Sequence, residues 1–135
     1  MVNRAKNVAV YIPRGGLNGV HNPTQADGTF DDIIRDLDYA ASDLQVSVYN
    51  LMINNAKIPF TTKGFSLIES AIRASVLRSV NLGIFADDTA PIVLMPKVTD
   101  ISANDRALRR LTGIKVIVRM AGAIHFVSIN LTASI

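Results

Sequence analysis

The chain has 135 residues, of which 49% are apolar but only 6% aromatic, with no Trp. That length fits one domain, 1–135, with a core built from Val, Ile, Leu and Ala. The absence of Cys excludes disulfides and thiolate metal sites, and a net charge of +3 is too mild to argue for nucleic acid unless it is clustered.

Val8–Ile12 reads as a short buried strand ended by Pro13, too brief for a signal-peptide core or a membrane span. Gly15-Gly16, Asn18-Gly19 and Asn22-Pro23 predict a loop. A helix is expected from Thr29, as cap, to Asn54, with Asp31 and Asp32 at its positive end. Ile34, Leu37, Leu44, Val48 and their neighbours recur at three- and four-residue steps, the period of an amphipathic helix about 35 Å long.

A second helix is expected from a Thr61 or Thr62 cap to Leu82, with Ile68, Ile72 and Val76 in its stripe and Gly83 as left-handed cap. The Ser66–Glu69 capping-box pattern leaves its start open. The seven stripe residues named from both helices are expected to be buried. Ile92–Met95 between two prolines predicts a strand, and Ser102 caps a short helix, Ala103–Leu111. Ile114–Met120 alternates as a strand, Ala121-Gly122-Ala123 interrupts it, and Ile124–Ile135 is strand-like again. The fold class is therefore α/β (α+β), a mostly antiparallel or mixed sheet covered by two long helices, with an extended C-terminal strand.

Chemistry is thinly represented. His21 falls in the predicted loop and reads as solvated, His125 falls in a strand and reads as a hydrogen-bonded structural residue, and no nucleophile motif precedes either. Asp87-Asp88 and the Asp36/Asp38 pair lack the spacing of a calcium loop. Gly15-Gly16-x-x-Gly19 lacks the spacing of a phosphate loop. No catalytic, cofactor or metal site is expected. Arg106, Arg109, Arg110, Lys115 and Arg119 form the one basic cluster, without interleaved aromatics to stack bases. Arg106, Arg109 and Arg110 are expected to pair with acidic groups of a neighbouring subunit. The alternative is a small nucleic-acid-binding module using Arg106–Arg119, and a third reading is a small enzyme around His125 or Asp87-Asp88.

The order of several segments resembles phage tail sheath-like proteins. These are Ala5–Tyr11 followed by Gly15-Gly16, then Ala26–Asp32, Asp36–Tyr39, Val48–Leu51, Lys57–Thr61, Asn81–Gly83, Asp105-Arg106 and Ala121–Val127. The likeness covers the C-terminal portion of longer family members. It implies a structural, non-enzymatic virion subunit that surrounds a tail tube in stacked rings and contracts during infection, assembled in the host cytoplasm. Its partners would be other sheath subunits, the tube, and the baseplate and terminator, with no nucleic acid, membrane insertion or cofactor. Strand-forming arms would tie neighbours together. Residues Ile124, Phe126, Val127, Ile129 and Leu131 are the expected intersubunit strand, because nothing from Ile124 to Ile135 is charged or Pro to protect an edge. Gly122 is the expected flexible point of that arm.

Overall fold

The computed structural model describes residues 10–14, 16–21, 24–125 and 127–132. Two strands, β1 (Val10–Arg14) and β2 (Leu17–His21), precede two long helices, α1 (Asp31–Asn54) and α2 (Thr62–Asn81). Strand β3 (Ile92–Leu94), a 3-10 turn at Val98–Asp100, the short helix α3 (Ala103–Ala107) and strand β4 (Lys115–Ile117) follow. The α+β reading holds, with the antiparallel component divided between two two-stranded sheets, β1-β2 and β3-β4.

The expected loop after Pro13 is instead the second strand of a hairpin. The register pairs Val10 with His21 and Arg14 with Leu17. Gly16 has φ 83°, the left-handed geometry that two-residue hairpin turns require. Pairing β2 to β1 satisfies the ladder groups of the apolar run, which a loop would leave unpaired. The two strands contact chiefly one another, and Tyr11, Leu17 and Val20 stay exposed.

Helix α1 starts one residue later than expected. The amide of Thr29 donates to Asp27 Oδ1 at 2.9 Å, so Thr29 closes a turn rather than capping the helix. Phe30 takes the cap position with no side-chain cap bond, leaving Asp31 and Asp32 to face the positive helix end. That amide bond holds the Asp27 carboxyl below its ordinary value.

Thr61 stands at the N-cap of α2, yet its hydroxyl makes no cap bond. An apolar contact fixes the entry instead: Phe60 meets Phe65 edge-on, ring centroids 5.2 Å apart, bracketing the cap as a hydrophobic staple. Gly64 is required here, since a Cβ would lie 1.9 Å from the Pro59 carbonyl oxygen. The other end follows the sequence closely. Gly83, at φ 74°, donates to Val80 O, and Ile84 donates to Ser79 O, both at 2.9 Å. That is a complete Schellman closure.

The core lies where α2 packs on α1 and touches β3. Ala40, Ile72, Val76, Ile84, Phe85 and Val93 form it, and Leu44, Val48, Ile68, Val116 and Val118 flank it. Each large apolar side chain fully buried there stabilises by about 1.5–3 kcal/mol. Of the seven stripe residues expected to be buried, Ile72 and Val76 are, Ile34, Leu44, Val48 and Ile68 are half-buried, and Leu37 is 51% exposed, at the rim of an apolar groove lined also by Ala41, Leu44, Val116 and Val118. No third strand closes over that side among the described residues, so the groove stays open.

Helix α3 ends at Ala107 rather than Leu111. Arg109 adopts φ 53°, its amide donates to Arg106 O, and Arg110 donates to Asp105 O at 2.8 Å. This is a second Schellman closure, with Arg where Gly is usual. Ser102 caps the start as expected, accepting from the Asp105 amide at 3.0 Å. Strand β4 covers only part of Ile114–Met120 because its partner β3 is itself confined between Pro91 and Pro96, and the imide nitrogen of Pro96 cannot donate to a ladder.

The described residues of Ile124–Ile135 form no strand, contrary to expectation. A strand needs a ladder partner, and no strand of this chain pairs with that segment among the described residues. Phe126 lies outside the described residues.

Candidate functional site

Asp32 and Phe30, at the entry to α1, hold the root of the C-terminal segment. The Ala123 amide donates to Asp32 Oδ2 at 2.9 Å, and the His125 ring stacks on Phe30 with centroids 4.8 Å apart. Ala121 donates to Ile84 O at 2.9 Å, and Gly122 lies against Ile33. Gly122, expected to be the flexible point, is therefore flanked by two fastened amides. The Ala123 bond pulls the Asp32 carboxyl below its ordinary value, with burial opposing. Beyond this root Val127, Ile129 and Leu131 are 68%, 84% and 91% exposed. Ile124 is equally uncovered. The segment thus leaves the body as an apolar, uncharged stretch with unused backbone groups. Among the described strands β4 is paired only with β3, so one edge of it is open too.

The basic cluster is divided by the fold. Arg106 Nη2 donates to Val98 O and Ile101 O, both at 3.2 Å, and so braces the turn before α3. Arg119 forms an ion pair with Asp88. Lys115 faces outward on β4. Arg109 and Arg110 are exposed and make no side-chain bond or ion pair among the described residues. Two of the five cations are thus committed internally, which weakens a phosphate-binding face and, of the three arginines expected to pair across a subunit boundary, leaves Arg109 and Arg110 without an internal side-chain partner among the described residues.

The remaining candidates do not converge. His125 is occupied with Phe30, and Asp88 with Arg119. His21 lies in β2. Among the described residues no group of three or more His, Asp or Glu is placed to hold a metal ion. Asp36 lines a shallow pocket with Arg35, Tyr39 and Leu82, while Asp38 is exposed. Sequence reasoning missed Asp32 as a tether and Asp43 as a link between the helices. Their signals were hidden because an Asp early in a helix, or on its polar side, reads as solvated.

Among the described residues the chain is a helical pair carrying a small antiparallel ribbon with an open strand edge. Residues 31–90 match the family model described as E217 tail sheath protein gp31-like, C-terminal domain. That match covers α1, α2 and the loop to β3, and it bears out the resemblance to phage tail sheath-like proteins. It supports a structural role related to phage tail sheaths. No curated protein matches the chain. Among the described residues no helix is long and apolar enough to cross a membrane.

Proposed function

We propose that the chain is a structural subunit of a contractile bacteriophage tail sheath, self-assembling into rings around the tail tube and contracting during infection. The observation that carries this reading is the exposed, uncharged segment 127–131, rooted firmly at Ala123 and unpaired among the described residues, beside a tail sheath-like 31–90. Such a stretch left in water invites aggregation, whereas a neighbour's open strand edge would take it up by backbone hydrogen bonds. Rigid roots and paired arms let subunits turn relative to one another while their links persist. Assembly would occur in the host cytoplasm, with the tube, baseplate and terminator as further partners.

Negative-stain microscopy of the purified chain tests the proposal. Rings or tubes are expected. Monodisperse particles at all concentrations would overturn it, and tight DNA binding that weakens steeply with salt would favour the nucleic-acid reading instead.

A further inference from the structure

Helix α1 carries two apolar stripes, and its packing on α2 uses only one. Ala40, Leu44 and Val48 face the core. On the opposite side Tyr39, Val46 and Ile53 recur at heptad spacing with Tyr49 between them, all at least half exposed. Asp31 and Asp38 stand beside this outer stripe at the same spacing, with Asp36 close by. None of these three carboxylates has an ion-pair partner among the described residues, and Arg35, the one cation in this part of α1, makes no ion pair either.

The β3-β4 ribbon has an unpartnered face of opposite charge. Val93 and Val116 point inward, so Ile92, Leu94, Ile117 and Lys115 share the outer face through the Ile92↔Ile117 and Leu94↔Lys115 pairs. Arg109 and Arg110 lie in the connection from β3 to β4, which leaves the ribbon at its Leu94–Lys115 end, and their exposed side chains have no partner among the described residues. Arg109 also holds a left-handed backbone, φ 53°, at a closure where Gly would be unstrained. A strained position occupied by a free guanidinium points toward a role for its side chain.

We propose that these two faces bind each other between copies: the outer stripe of α1 in one subunit docks on the Arg109/Arg110 end of the β3-β4 ribbon in the next. Tyr39, Val46 and Tyr49 meet Ile92, Leu94 and Ile117, while Asp31 and Asp38 meet Arg109 and Arg110. Guanidinium groups suit carboxylates because their forked donors bind both oxygens. The two faces differ, so the contact is head-to-tail, and repetition gives rings or a helical lattice rather than a closed pair. This inference rests on the assembly reading above and names the surfaces that carry it.

Reciprocal charge exchange tests it on the full chain, with assembly followed by sedimentation and the fold by circular dichroism. Asp31→Lys with Asp38→Lys, and separately Arg109→Glu with Arg110→Glu, should each raise the concentration needed for assembly about tenfold or more, the effect of roughly 1.4 kcal/mol. An equimolar mixture of the two should restore assembly, because each variant supplies the charge the other lacks. Arg109→Gly should melt at a higher temperature than the parent yet assemble less readily, an outcome that misfolding cannot produce. Assembly unchanged in these variants, or not restored on mixing, would overturn the head-to-tail contact while leaving the sheath reading intact. A parent chain that never assembles would remove both.

Discussion

Asp43 on α1 and Arg78 on α2 meet at 2.9 Å and join the two long helices. The same carboxylate accepts from the Ser75 hydroxyl, and Arg78 also donates to Ser47. Ser75 is only 1% exposed, so this bond, and not the solvent-facing guanidinium, is the energetically important member. Replacing Asp43 by Ala leaves a buried hydroxyl unpaired and should cost about 1–2 kcal/mol in denaturant unfolding.

The same network gives an acid sensitivity. The Ser75 hydroxyl, and secondarily Arg78, hold the Asp43 carboxyl below its ordinary value against burial. The unfolded chain therefore takes up the proton first as pH falls. The contribution is full above the unfolded Asp value, about 3.9, and is lost as pH drops through the lower folded value. Melting temperatures measured from pH 6 downward should fall less steeply in Asp43→Asn than in the parent.

Gly64→Ala should destabilise by about 1–3 kcal/mol, the range for overpacking. The added methyl would press on the Pro59 carbonyl, which accepts from the Thr61 amide at 2.9 Å and so cannot retreat without breaking the entry to α2. Thermal unfolding measures the loss.

Asp32→Ala should release the root of the C-terminal segment. Bonds to an ionised acceptor are worth about 1.5–3 kcal/mol, so amide exchange at Ala123 should quicken about tenfold or more at constant pH. Amides of the α2 core, such as Ile72, should be unaffected.

Truncation after His125 separates folding from assembly. Every described residue beyond it is exposed, so unfolding free energy should stay within about 0.5 kcal/mol of the parent. Sedimentation should show assembly lost. A shortened chain that still assembles would sink the shared-strand part of the proposed function.

The helices were legible because burial of one face writes a period into the sequence, and Gly83 marked a closure that only a left-handed residue makes easily. Hairpin β1-β2 was not, since Gly, Asn and Pro in 15–23 signal reversal whether or not strands flank it. The end of α3 was hidden for another reason: Arg109 occupies a left-handed position that a reader assigns to Gly. The tether was least visible of all, because the Asp32–Ala123 bond links opposite ends of the domain and neither residue type announces it. The division of the basic cluster likewise depended on where the Val98 and Ile101 carbonyls fall, which no side-chain pattern records.

Helices α1 and α2 are complete in the chain by Asn81, whereas β4 begins only at Lys115. On a ribosome the helical pair can therefore associate before Lys115–Ile117 has been synthesised, at a stage when Val93 still lacks its cross-strand partner Val116. The ribbon and the outer face it builds arrive only with that closing step. A subunit still in the making would thus lack half of the proposed head-to-tail contact, and nascent chains would be kept from polymerising through it on the ribosome by the order of their own folding.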